Sequence, residues 1–238
     1  MKRRTFAIAA ACLAVSLSAR AQSTPDPSGH WEGTVDPPNF KLPLPVDIDR
    51  GDPGGFVGTL TNVSEGIQGL PLRTVALDGR LVQIVIASGS GSQEFNGVLT
   101  ADGKTISGAF SVNGFSAPID FTRTGDARIE RPTSAPIGKE FEGTWNGVLD
   151  VNGKPMHVVL KMLNHPNGTS TGVVINMDSG GVEVPVSTIT QKDSNLTATV
   201  NAVSGSFVAS LSPDHSELTG TWTEKTFSAP LVFRRATR

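Results

Sequence analysis

Tyrosine is absent from the 238 residues, and cysteine occurs once, at Cys12. With no cysteine beyond that point, disulfide staples and thiolate metal sites are excluded from the body of the chain. Aromatic residues are few, 11 Phe and three Trp, so little is left for a surface platform once a core is built. No apolar run beyond residue 21 approaches the roughly 18 residues of a membrane-spanning helix, so no membrane span is expected. No basic run occurs, which argues against nucleic acid as a partner, and no basic amphipathic segment offers itself to a membrane surface. What is present reads as a globular β protein. The chain is 37% hydrophobic and 18% charged, too apolar for disorder, and its 26 Gly and 16 Pro make it too turn-rich for a helical bundle.

The first 21 residues have the layout of an export signal. Lys2, Arg3 and Arg4 form a basic start, Thr5 to Ser18 an apolar core, and Ala19-Arg20-Ala21 a small-residue cleavage site before Gln22. Arg3-Arg4-Thr5-Phe6 also fits a twin-arginine signal, so the Sec and twin-arginine routes both stay open. The expectation is an exported protein, periplasmic or extracellular. Removing Lys2, Arg3, Arg4 and Arg20 leaves 16 basic against 22 acidic groups, a net charge of −6.

The remainder is an internal duplication. Gly29-His30-Trp31-Glu32-Gly33 matches Gly143-Thr144-Trp145-Asn146-Gly147, and Phe115-Ser116-Ala117-Pro118 matches Phe227-Ser228-Ala229-Pro230. Between them Gly58 pairs with Gly172, Pro71 with Pro185, Leu81 with Leu196, Phe95 with Phe207, Asp102 with Asp214 and Gly108 with Gly220. The expected organisation is a domain over 28–124, a linker over 125–139 and a second domain over 140–237. Residues 22–125 carry 6 basic and 11 acidic groups, residues 139–238 carry 8 and 9. The copies therefore present different fields, and identical jobs are not expected of them.

Each copy reads as short segments of alternating polarity split by turns. Asp102-Gly103 and Asn113-Gly114 mark hairpins. About eight strands are expected per copy, in the first near 29–36, 41–49, 55–61, 72–77, 80–87, 93–99, 104–112 and 116–123. Strands joined by short turns make an antiparallel meander. Closing it removes its exposed edges. The fold expectation is all-β, two tandem eight-stranded meander domains forming small barrels, with β-sandwiches as the alternative. A membrane barrel is disfavoured by strand length and by the Glu, Asp, Asn and Lys of the outer faces. Pro43 and Pro45, two apart, remove N–H groups from one side of the second strand and should loosen it. His157 and Val159 stand there in the second copy. Val82, Ile84 and Ile86 read as an apolar outer stripe.

Each copy opens with Gly-x-Trp and places an arginine on the inward face at the end of its last strand. The pairs are Trp31 with Arg123 and Trp145 with Arg235. A tryptophan face can carry a guanidinium, and a buried arginine needs a partner. This pairing resembles the calycin signature of lipocalins and avidins, which implies that it closes one end of a barrel. The copies are shorter than those families and lack the lipocalin helix. Across each copy, Gly-x-Trp-x-Gly, a later Gly-x-x-x-Leu/Val-Pro and a late Phe-x-x-Arg-like ending resemble an uncharacterised β-rich segment. That segment precedes serine-hydrolase domains in some exported bacterial proteins. The resemblance implies an accessory role, not hydrolase activity.

Catalytic constellations are wanting. There is no Gly-x-Ser-x-Gly elbow, no Ser-x-x-Lys and no phosphate-binding glycine loop. Gly89-Ser90-Gly91-Ser92 reads as a flexible hairpin tip. His30, His157, His165 and His215 lack metal-site spacing, and His30 reads as a solvated rim group. Asp47-Ile48-Asp49-Arg50-Gly51-Asp52 faintly resembles a calcium loop but misplaces its glycine and lacks the closing glutamate. Trp31, Phe95, Phe110, Phe121, Trp145, Phe207, Trp222 and Phe233 fall on the inner face, favouring filled interiors. The expectation is a non-enzymatic accessory or interaction protein with no cofactor, no metal and no catalytic residue. Its partner is an unknown protein. The alternative is a binder of a small apolar ligand in one of the barrels.

Overall fold

The computed structural model describes residues 25–36, 41–86 and 93–237. The export segment 1–21 and the hairpin tip Gly89–Ser92 lie outside the described residues. Within them the chain is all β, with two sheets built by the two copies and a small two-stranded sheet beside the first. No helix among the described residues is long and apolar enough to cross a membrane.

The first copy supplies β1 (Gly29–Glu32), β2 (Thr34–Val35), β3 (Leu42–Pro43), β4 (Val46–Arg50), β5 (Phe56–Asn62), β6 (Ile67–Asp78), β7 (Leu81–Ile86), β8 (Gln93–Leu99), β9 (Thr105–Val112) and β10 (Phe115–Gly125). Eight of these, β1 and β4 to β10, form a closed antiparallel barrel in which β1 pairs with both β4 and β10. The expected weakness at the prolines takes the form of a break. The second strand is split at Pro43-Leu44-Pro45, and β3 leaves the barrel to pair with β2. Neither proline can donate to a ladder. Pro45 still accepts from the Thr61 N–H at 2.9 Å, and barrel pairing resumes at Val46.

The second copy supplies β11 (Gly143–Val151), β12 (Lys154–Asn164), β13 (Ser170–Asn176), β14 (Glu183–Pro185), β15 (Thr188–Lys192), β16 (Asn195–Val200), β17 (Gly205–Leu211), β18 (Glu217–Glu224) and β19 (Phe227–Arg235). With no proline in its middle, β12 runs unbroken and pairs with β11 through nine residues. The sheet order is β14-β13-β12-β11-β19-β18-β17-β16-β15. Its two ends are consecutive in the chain, separated only by Val186 and Ser187. The Val186 N–H bonds to Gly172 O at 2.8 Å on one neighbour and the Ser187 N–H to Thr199 O at 2.7 Å on the other. One bent segment thus joins both edges of the sheet and curls it into a barrel-like form, the second barrel. In the first copy the equivalent β6 bends likewise, pairing with β5 through its first part and with β7 through its last.

The duplication extends to the packing. Phe95 meets Phe121 edge-on at 5.0 Å between centroids, and Phe207 meets Phe233 in the same way at 5.2 Å. Gly108 and Gly220 occupy matching crossings where a Cβ would lie 2.1 Å from a backbone oxygen of the neighbouring strand, that of Asn96 or Val208. Only glycine lets those strands approach. At the Asn113-Gly114 turn both residues are left-handed, with φ of 48° and 82°, as a two-residue hairpin requires. Asn62 and Asn176 each cap a short 3₁₀ turn that ends on a left-handed glycine, Gly66 or Gly180.

The apolar stripe expected on the outside of the fifth strand is corrected. Val82, Ile84 and Ile86 are buried and Leu81 is exposed. Ile84 opposes Phe95, and Ala198 opposes Phe207. Val82, Ile84 and Ile86 therefore correspond to Leu196, Ala198 and Val200. Aligning Leu81 with Leu196 slips the register by one residue, and such a slip turns every side chain to the opposite face.

The segment between the barrels seats on the second one. Ser134 bridges to Ser170 and accepts the Ile189 N–H on its Oγ at 2.7 Å. Asn164 Oδ1 accepts the Ile137 N–H at 2.9 Å, and Ile137 and Phe141 are buried. Residues 134–141 thus form an ordered plug for one end of the barrel.

The Asp102 and Asp214 turns also repeat. Asp214 Oδ1 accepts from the Ser212 hydroxyl at 2.6 Å and from the Ser216 hydroxyl at 2.8 Å. These bonds, with the Ser216 N–H, hold its carboxyl at about 2, below the ordinary aspartate value of 3.8. A folded-state value below the unfolded one stabilises the fold at pH above about 4, and that contribution is lost as pH falls toward 2. The expected midpoint of the Asp214 carboxyl carbon in an NMR titration is about 2. A midpoint at or above 3.8 would show that the serine bonds do not persist in solution.

Candidate functional site

The sequence marks Trp31, Arg123, Trp145 and Arg235 as structural, and the structure brings them together in two pairs. Arg123 and Trp31 are register partners, with the guanidinium carbon 4.7 Å from the ring centroid. Arg235 and Trp145 are likewise partners, at 4.1 Å. Each tryptophan is fully buried and donates its indole N–H to the carbonyl four residues earlier, Pro27 at 2.8 Å and Phe141 at 3.0 Å. Arg235 donates to three carbonyls, His215 O at 2.9 Å, Glu142 O at 2.7 Å and Glu140 O. Arg123 donates to Asp26 O, and its buried Nε finds no acceptor among the described residues. These pairs close one end of each barrel. They fasten the first strand of each barrel to its last, and Arg235 also borders an open surface cleft with Lys139, Asp214 and His215.

The opposite end of the second barrel is hollow. A cavity of about 270 Å³ lies between the start of β12, the ends of β13 and β18, and the bent segment. Its floor is Phe207, Phe233 and Leu160, and its wall includes Val174, Ala198 and Val200. The inward aromatics thus leave this barrel incompletely filled, contrary to the expectation of a packed interior. One contribution is legible by comparison between copies. Opposite the floor phenylalanine the first barrel places Ile84 and the second Ala198. The smaller side chain leaves its volume empty because the surrounding strands are held apart by the ladder.

Only two polar residues other than Trp222 line this cavity, Asn176 and Glu224, both at strand ends near its mouth. Glu224 Oε2 accepts the Trp222 indole N–H at 3.3 Å. Asn176 donates to Met156 Sδ at 2.9 Å and accepts the Asp178 N–H at 3.0 Å. The first barrel carries Phe110 and Val112 where the second has Trp222 and Glu224, as the strand register shows.

The first barrel borders this end. Leu70 packs against the cores of both barrels. The Ser204 hydroxyl donates to Gly66 O at 2.9 Å, and Lys225 lies 3.8 Å from Glu65. Beside this contact a wider cleft of about 480 Å³ is lined by His30, Asp47, Gln68, Arg128, Ser187 and Asn201, among others. Some of its polar groups are paired with one another. His30 Nδ1 meets Asp47 Oδ1 at 2.7 Å, and the same oxygen accepts the Arg128 N–H at 2.8 Å. Ser187 Oγ accepts the Asn201 N–H at 2.9 Å. This cleft knits the first barrel to the connecting segment.

His30 is thereby corrected from a solvated rim group to a buried one, 7% exposed. The two stand opposite each other in the ladder on the outer face, between core residues, and the connecting segment covers them through the Arg128 N–H on Asp47. The faint calcium loop does not assemble. Asp47 faces His30, while Asp49 accepts the Arg50 N–H at 2.8 Å. Among the described residues no group of three or more His, Cys, Asp or Glu side chains is placed to hold a metal. His157 pairs with Asp178, and His165 with the Thr171 hydroxyl.

No family model matches the chain, and no curated protein matches it. Among solved structures, a protein of unknown function from the DUF3598 family of Nostoc punctiforme is 12% identical, with a TM-score of 0.23 over 88% of this chain and 96% of that one. A likeness of that degree carries no inference about fold or role.

Proposed function

We propose that this is an exported, non-catalytic binding protein whose second barrel carries a small apolar ligand, the first barrel serving as its accessory. The observation that carries this reading is the hollow at one end of the second barrel, about 270 Å³ and lined almost wholly by aliphatic and aromatic side chains. Apolar hollows of this kind hold water poorly and take apolar guests. A cavity of about 150 Å³ accepts benzene, so this one suits an occupant of about ten non-hydrogen atoms. That size is just below the usual range of ligand pockets, which begins at about 300 Å³. Eight-stranded barrels have room for one small guest once an inward side chain is shortened, and Ala198 is that shortening. The absence of converging nucleophile, base and oxyanion donors in the hollow supports binding without chemistry. The start of the chain, with its basic cluster, apolar core and Ala-Arg-Ala, supports export.

Native mass spectrometry of protein purified without denaturation tests the reading. The expected result is uptake of one equivalent of a neutral apolar compound such as 1-hexanol or butylbenzene, lost on acid denaturation. A bare protein mass in the presence of millimolar amounts of either compound, with no thermal stabilisation, would overturn it.

A further inference from the structure

The polar rim of this hollow specifies more than apolarity. Resting on the reading of the hollow as a ligand site, we infer that its occupant has an apolar body and a cationic amine head, seated against Glu224 and Trp222. Glu224 is the one ionisable group lining the cavity, and no lysine, arginine or histidine faces it there. It is half-buried at the end of β18, and no cation stands within ion-pair reach of it among the described residues. Its chain neighbour Lys225 turns away to Glu65 of the first barrel.

The hydrogen-bond inventory of the rim leads to the same head group. The single N–H of Trp222 is committed to Glu224 Oε2. The Asn176 amide spends one of its two N–H groups on Met156 Sδ, and its oxygen accepts from the Asp178 N–H. What the mouth offers a guest is therefore the Glu224 carboxylate, the Trp222 indole ring and one remaining Asn176 amide N–H, and of these only the carboxylate is charged. An ammonium satisfies both carboxylate and indole, through a charge-assisted hydrogen bond and through attraction to the indole face. A carboxylate head, as on a fatty acid, would be set against Glu224 and repelled. The comparison between the copies supports this. The first barrel has Ile84, Phe110 and Val112 where the second has Ala198, Trp222 and Glu224. The small residue that opens the hollow and the acid at its mouth occur in the same copy.

The test is an NMR-monitored titration of the intact protein at pH 7 with three probes of one shape, hexylamine, 1-hexanol and hexanoate. The expected order is hexylamine tighter than hexanol by roughly tenfold, which is about 1.4 kcal/mol, and hexanoate weaker than hexanol. In E224Q, and in E224V, which installs the first barrel's side chain, the amine advantage is expected to shrink to about threefold or less. Binding of hexanol should persist in both variants. Hexanoate binding as well as hexylamine would overturn the inference, and so would an amine advantage that survives both substitutions. Hexanol binding without amine preference would sink the inference alone. Failure of all three probes would sink the ligand site with it.

Discussion

Replacing Trp145 by alanine is expected to destabilise the second barrel by about 3–5 kcal/mol, the range for truncating a large buried aromatic. The ring is fully buried, bonds to Phe141 O at 3.0 Å and carries the Arg235 guanidinium 4.1 Å from its centroid. Its removal opens a void at the plugged end and strips Arg235 of its seat. With a urea dependence of about 1–3 kcal/mol per molar, the second barrel's midpoint should fall by roughly 1 M or more. Arg235→Lys should also cost about 1–3 kcal/mol. An ammonium cannot reach the three carbonyls that the guanidinium serves and still lie flat on the ring. A loss below about 1 kcal/mol for Trp145→Ala would show that the pair does not fasten the barrel. The matching change in the first copy, Trp31→Ala, should cost less, because Arg123 has one carbonyl partner where Arg235 has three.

Ala198→Ile is expected to abolish apolar binding while leaving the barrel folded. The substitution installs the first barrel's residue opposite Phe207 and adds three carbons to the hollow. If they fit, each contributes up to about 0.8 kcal/mol of burial, while overpacking costs about 1–3 kcal/mol. Net stability should therefore change by no more than about 2 kcal/mol in either direction. Affinity for butylbenzene should fall more than about tenfold, since a guest of that size loses contacts along its whole length. Undiminished binding in a folded Ala198→Ile protein would place the guest elsewhere.

The architecture was open to reading from sequence because the signals that set it are local and occur twice. Gly-x-Trp, the inward Ala-x-Leu/Ile-x-Phe-x-Arg run and the turn glycines each recur at nearly fixed offset. Their alternation leaves one face to bury. The broken second strand was legible for a similarly direct reason, since proline cannot donate wherever the chain goes. What escaped depended on register and on neighbours. Leu81 and Leu196 align well as letters, yet the ladder sets Val82 against Gly97 and Leu196 against Ala209. Only pairing decides which residue faces inward. The His30–Asp47 contact joins residues 17 apart across two strands, and neither one announces the other. The hollow was least legible of all. Nothing in an isolated alanine says that the space beside it stays empty. That follows only when Phe207 and Phe233 are fixed edge-on at 5.2 Å and the ladder keeps β16 from moving in.

The chain's three tryptophans allow the central claim to be tested with one spectrum. Trp222 lines the hollow, Trp145 closes the opposite end of the same barrel, and Trp31 belongs to the other barrel. Their indole N–H signals should be followed by ¹⁵N-resolved NMR while butylbenzene is added. A ligand site in the second barrel requires a saturable shift of the Trp222 signal, with Trp31 unmoved and Trp145 little changed. A Trp222 signal that stays still at saturating butylbenzene, or one that moves no more than Trp31, would contradict it.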